Sequence, residues 1–132
     1  RNRPKPVSSA RSDWNRENYI VNIDVTREDG KCIATLNGVL DENGREAFEQ
    51  QLHPLIEERG NRAILDLSGV PRVTSSGLGL LVTLAARANT KGASVVLAAA
   101  TPFVASVIGV TRLDQFFAMA PTVEQATEVA AP

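Results

Sequence analysis

Three consecutive hydroxyl residues, Thr74, Ser75 and Ser76, stand where the sequence passes from a strand pattern to a helix pattern. They lie within the run D-L-S-G-V-P-R-V-T-S-S-G-L-G-L-L, residues 66–81. The first turn of a helix leaves backbone N–H groups unpaired and carries the positive end of the helix dipole, so negative charge is welcome there. A phosphate ester at such a hydroxyl would add a charge of about −1.5 to −2 at the surface, where a partner would meet it. Ser and Thr are also preferred helix caps, worth about 1 kcal/mol. Capping accounts for one hydroxyl of the three, not for all of them. The chemistry expected of this run is group acceptance and docking, without catalysis.

Other chemistry finds little support. Gly77-x-Gly79 lacks the third glycine of a dinucleotide fingerprint, and no G-K-[S/T] follows to cradle phosphates. His53, the single histidine, sits beside Pro54 in a helical pattern and reads as a partly exposed surface residue. One His and one Cys would need several well-spaced carboxylates to complete a zinc site, and none are so spaced. Ser75, His53 and Asp66 could be assembled into a triad only by choosing them for the purpose. Asp41 and Asp66 are more simply a loop cap and a strand-end residue than an acid–base pair. No cofactor or metal is expected.

The elements that position the hydroxyl run follow from periodicity. Residues 19–26 (Y-I-V-N-I-D-V-T) are rich in β-branched side chains and read as a strand. Glu28-Asp29-Gly30 reads as a hairpin turn, and 31–37 as the returning strand. Asn43, with Glu46 three residues on, fits a capping box for a helix that buries Phe48, Leu52, Leu55 and Ile56. Pro54 inside that pattern predicts a kink or a break. Residues 63–67 form a short buried strand. A helix then starts at Ser75 or Ser76 and ends near Thr90, where Lys91-Gly92 supplies a stop. A strand at 94–99, a helix at 102–110, an edge strand at 115–119 and a last helix at 122–129 complete the series. Strands alternating with helices after a hairpin predict a mixed sheet with about four helices packed on it, an α/β domain.

At 100° per residue, Leu78, Leu81, Val82 and Ala85 form the core stripe of the second helix. Ser76, Gly79, Leu80, Thr83 and Arg87 face outward. On that outward face, Leu80 is either an ordinary exposed apolar residue or a contact point beside a glycine that admits another backbone.

The length of 132 residues and 43% hydrophobic content suit one core. A formal net charge of −1 gives no general attraction to nucleic acid or anionic membrane. The charge is uneven: residues 1–17 carry Arg1, Arg3, Lys5, Arg11 and Arg16 against Asp13 and Glu17, a net +3, which leaves −4 for the remainder. That head is expected to be a flexible tail before a domain spanning 18–132. Cys32 has no partner for an intrachain disulfide, which suits a reducing, cytoplasmic setting. No stretch approaches the roughly 20 apolar residues of a membrane span, and the basic start has no apolar run behind it to make a secretory signal. The chain begins with Arg1, which leaves open that it is a piece of a longer one.

Several motifs, in order, resemble STAS domains, and specifically the anti-sigma-factor antagonists of bacteria. Gly38-Val39-Leu40-Asp41 resembles the family's G-x-L-D, and Asp66-Leu67-Ser68-Gly69-Val70 its D-L-S-x-V. Ser75-Ser76-Gly77-Leu78-Gly79 resembles its S-S-G-L-G phosphorylation motif. Lys91-Gly92, and Pro102 through Val110-Thr111-Arg112-Leu113, resemble its later pattern. The likeness covers nearly all of residues 19–130, and only the central motif is specific.

The resemblance implies a switch. An unphosphorylated antagonist binds an anti-sigma factor that is itself a serine kinase of the histidine-kinase-like ATPase fold, and so frees a sigma factor. Phosphorylation by that kinase releases the antagonist, and a PP2C-type phosphatase resets it. By position the acceptor is Ser75, with Ser76 and Thr74 as alternatives. Asp41, Thr74, Ser75, Ser76, Gly77, Gly79, Leu80 and Thr83 form the implied partner surface. No direct nucleic-acid contact or membrane insertion is implied. The family usually has Asp before the acceptor serine, where this chain has Thr74. Two readings stay open: a phosphorylated antagonist, or an unmodified STAS adaptor or scaffold module in a larger signalling or membrane transport complex.

Overall fold

The computed structural model describes residues 20–28 and 31–128. Strands β1 (Asn22–Glu28) and β2 (Lys31–Asn37) pair antiparallel, with Glu28 opposite Lys31. Tyr19, the Asp29-Gly30 turn and the expected flexible tail lie outside the described residues. Period-two alternation holds: Val21 and Ile23 are buried and Asn22, Asp24 and Thr26 exposed. Strands β3 (Arg62–Gly69), β4 (Ser94–Ala98) and β5 (Ala118–Ala120) follow β2 in parallel, giving a five-stranded mixed sheet in sequence order.

The first helix, α1, is a composite over 42–56. Asp41, not Asn43, caps it: its Oδ1 accepts the Asn43 N–H at 3.0 Å, so the helix opens with a 3-10 turn, Glu42–Gly44. The Asn43–Glu46 capping box is therefore not formed. A short α turn (Arg45–Ala47) widens into a π turn (Phe48–Leu52) and tightens into a 3-10 turn (His53–Ile56) that carries Pro54 at its start. Pro54 has no N–H to give to a preceding carbonyl, and the helix changes pitch there without parting. Phe48, Leu52, Leu55 and Ile56 stay buried throughout.

Helices α2 (Ser75–Lys91), α3 (Pro102–Val110) and α4 (Val123–Ala126) complete the fold. The side chains of α1, α2 and α3 share one core with one face of the sheet. Ile64, Val96, Ala98 and Ala120 of the other face pack against Ala126 of α4. The expected edge strand over 115–119 begins later. Arg112 takes a left-handed conformation (φ 63°) and Leu113–Gln115 makes a 3-10 turn, so pairing waits until Ala118. The last helix is shorter than 122–129; Thr122 caps it through the Gln125 N–H.

Helix α2 is rotated from its expected setting. Gly77, Leu78, Leu81, Leu84 and Ala88 are buried, whereas Val82 and Ala85 are half-buried. The cause is Gly77: a Cβ there would lie 2.0 Å from the Leu40 carbonyl oxygen. The glycine face alone can press on the backbone of the β2–α1 loop, and this fixes the face that turns inward. Gly92 ends the helix with φ 79°, and the salt bridge from Lys91 Nζ to Glu57 Oε1 (2.9 Å) ties it to the far end of α1.

Candidate functional site at the helix amino termini

Because β2, β3 and β4 run parallel and each is followed by a helix, the N-termini of α1, α2 and α3 gather at one end of the sheet. Each has its own capping oxygen. Asp41 caps α1. Thr74 caps α2, its Oγ1 accepting the Gly77 N–H at 3.1 Å. Thr101 caps α3, its Oγ1 accepting from Val104 N–H at 3.5 Å and donating to the Val70 carbonyl at 2.8 Å.

The first two loops are stitched together. Leu40 N–H donates to the Arg72 carbonyl and Thr74 N–H to the Leu40 carbonyl, both at 3.0 Å, and Gly38 N–H donates to the Gly69 carbonyl at 2.9 Å. Gly38 sits at φ 113°, a conformation few other residues adopt. Asp41 is thereby held one residue from the Leu40–Thr74 link, beside the start of α2.

Thr74 does the capping work, so the hydroxyls of Ser75 and Ser76 are not needed for it. Both residues are exposed, Ser75 as the first residue of α2. Gly77 is buried and presents no surface. Gly79, Thr83 and Arg87 are exposed along the outward face, and Leu80 is half-buried. A Cβ on Gly79 would meet nothing within 4 Å. No contact inside the domain requires glycine there, although glycine in a helix costs about 1 kcal/mol relative to alanine. Gly79→Ala is accordingly expected to stabilise the isolated domain by up to about 1 kcal/mol. A thermal melt at or below the wild-type value would contradict that reading.

The sequence did not place α1 against this face. A groove of about 800 Å³ runs between α1 and α2, with Ser76, Gly79, Leu80, Thr83 and Arg87 on one wall and Glu42, Arg45, Glu49 and His53 on the other. The outward-facing residues of α2 were legible from its 100° period. Their pairing with α1 depends on the rotation set by Gly77, which has no local signal beyond the glycine itself. Burial, and then the charge of Arg87, holds His53 below the usual histidine range, so its ring is largely neutral at neutral pH. The hydrogen bond from Lys91 lowers the Glu57 carboxyl.

Asp66 lies within β3 and not at its end, because the strand runs on to Gly69; its Oδ1 accepts the Ser68 N–H at 3.0 Å. Among the described residues no three His, Cys, Asp or Glu side chains are grouped to hold a metal ion, and no helix is long and apolar enough to cross a membrane.

The family model described as "Mlab, STAS domain" matches residues 23–121. The chain belongs to the STAS domain family. Among relatives of this STAS domain, a Bordetella bronchiseptica protein named as an anti-sigma factor antagonist, BtrV, is 28% identical over 98 residues, 74% of this chain and 84% of the relative. The fold is shared with an anti-sigma factor antagonist from Mycobacterium paratuberculosis, at a TM-score of 0.72 and 24% identity, covering 82% of this chain and 92% of the other. It is also shared with the Bacillus cell fate determinant SpoIIAA in its phosphorylated form, at a TM-score of 0.62 and 16% identity, covering 83% and 100%.

Proposed function

We propose that this STAS domain, over residues 18–132, is an anti-sigma-factor antagonist of the bacterial cytoplasm. It binds an anti-sigma factor serine kinase of the histidine-kinase-like ATPase fold and is released when Ser75 is phosphorylated. It acts by docking and has no catalysis of its own; a PP2C-type phosphatase returns it to the binding form. The observation that carries this reading is the division of labour at the start of α2. Thr74 supplies the cap, which leaves Ser75 exposed on the first helical turn, its hydroxyl making no hydrogen bond among the described residues.

A phosphate there is tolerated by the free domain, because the helix dipole favours negative charge. It is costly in a complex, where a packed partner must pair the charge or lose affinity. Asp41, Thr74, Ser76, Gly79, Leu80 and Thr83 supply the surrounding contact surface, and Gly77 sets its position. The BtrV resemblance supports the antagonist role, and the phosphorylated SpoIIAA neighbour supports an acceptor on this fold.

The test is incubation with the anti-sigma kinase of the source organism and ATP, followed by peptide mass mapping. A gain of about 80 Da, one phosphoryl group, is expected on the peptide containing Ser75 and absent from Ser75→Ala. The second reading, an unmodified STAS adaptor, is favoured by Thr74 standing where the antagonists carry Asp. A phosphate gain nowhere on the chain would select it.

A further inference from the structure

We propose that the groove between α1 and α2 is a docking site for an amphipathic helix of a partner protein, one that seats an apolar side chain at Gly79 and turns basic side chains toward α1.

The groove has a helix for each wall. Leu80 Cδ1 lies 3.7 Å from the point a Cβ on Gly44 would occupy, near the start of α1. Just past the other end of α1, Glu57 Oε1 meets Lys91 Nζ at 2.9 Å. The two helices therefore run side by side in the same direction. On the α2 wall, Ser76, Gly79, Leu80 and Thr83 stand at i, i+3, i+4 and i+7. Those four positions frame the hole into which a neighbouring helix inserts a side chain. Serine, glycine and threonine keep three sides of the frame small, half-buried Leu80 gives an apolar fourth, and a Cβ on Gly79 would meet nothing within 4 Å. The hole is thus shaped for a leucine-sized side chain. From Ser76 to Arg87 the wall is about 16 Å long, the length of three helical turns. An extended segment finds no ladder to join here, because the interior backbone groups of α2 are paired within the helix.

Charge sets the occupant's second face. Residues 75–86 of α2 include no charged side chain, so the charge around the Gly79 hole comes from α1. Over residues 42–49, α1 has Glu42, Glu46 and Glu49 against Arg45, a net −2, and all four are exposed. Glu42 and Glu49 line the groove. Among the described residues the ion pair within 4.0 Å is Lys91–Glu57, so these carboxylates have no cation at that distance. Glu46 accepts from Gln50 Nε2 at 3.1 Å on the outer side. A helix apolar toward α2 and basic toward α1 complements both walls. It buries no charge against Gly79 and Leu80, and its cations meet Glu42 and Glu49 at the solvent-facing rim.

Ser75 lies in neither wall. The docking therefore goes beyond the phosphorylation switch and does not depend on it, although Gly79, Leu80 and Thr83 belong to both surfaces.

The test follows the backbone amide NMR signals of the full chain during titration with a synthetic alanine-based helix. The peptide is roughly 18 residues long, enough to hold helical structure, with leucines along one face and arginines along the adjoining flank. Saturable shifts are expected at Gly79, Leu80, Thr83 and the amides of 42–49, with a Kd below about 1 mM. A control peptide with glutamate in place of arginine should bind about tenfold more weakly, since two surface attractions become two repulsions. Glu42→Lys with Glu49→Lys should reverse that preference. Gly79→Leu should fill the hole and weaken the basic peptide about tenfold. Its melting temperature should hold or rise, because leucine is the better helix former and the space at Gly79 is open. Absence of shifts at about 2 mM peptide, shifts centred elsewhere, equal binding of the two peptides, or undiminished binding to Gly79→Leu overturns the docking. No arm uses the kinase, so the result stands whatever becomes of the Ser75 switch.

Discussion

Gly77→Ala is expected to cost about 3 kcal/mol of stability and to lower the melting temperature by roughly 10 °C. The added Cβ would lie 2.0 Å from the Leu40 carbonyl oxygen, 2.5 Å from its carbon and 3.0 Å from the Asp41 nitrogen. All three atoms are backbone, so no side chain can swing aside. The helix would have to withdraw from the β2–α1 loop, weakening the Thr74 N–H bond to Leu40 and unseating Leu78 and Leu81. The gain in helix propensity, about 1 kcal/mol, falls short of this loss. Two glycines in one motif thus respond in opposite directions: alanine at 77 destabilises and alanine at 79 stabilises. A thermal melt of both variants checks the pair, and equal melting temperatures would show that α2 does not press on Leu40 as described.

Ser75→Asp is expected to weaken binding to the anti-sigma kinase by at least about 100-fold, or roughly 2.7 kcal/mol. The exposed carboxylate interacts favourably with the helix N-terminus, by about 0.3–1 kcal/mol, so the fold should be unchanged or slightly stabilised. In the proposed complex the same charge must leave water, and it costs affinity unless the partner pairs it. Ser75→Ala should bind as the wild type does and accept no phosphate. Binding of Ser75→Asp at wild-type affinity, measured by calorimetry beside a matching melt, would remove Ser75 as the switch.

Local signals carried far in this chain. Alternation in Val21, Asn22, Ile23 and Asp24 marked the first strand, and Lys91-Gly92 marked the stop of α2. Pro102 and Thr122 placed the last two helix starts within a residue. These features depend on one residue and its near neighbours, so the sequence carries them whole. Failures came where a competing interaction lay nearby but was not preferred by pattern. The Asp41 carboxylate reached Asn43 N–H before Asn43 could act as cap. The left-handed Arg112 inserted a turn where β-propensity suggested a strand.

What the amino-acid order determined unaided was the α/β alternation, the apolar sets that make the core, and the hydroxyl triplet at a helix start. Its motifs were enough to mark the STAS pattern. Tertiary structure alone decided which hydroxyl caps and which stay free, how far α2 is turned about its axis, and that α1 lies alongside to make a charged groove. Those outcomes turn on contacts between residues far apart in the chain, such as Gly77 against Leu40 and Val21 against Gly44. Periodicity records only which face of an element is apolar, and has no term for the backbone that the face will meet.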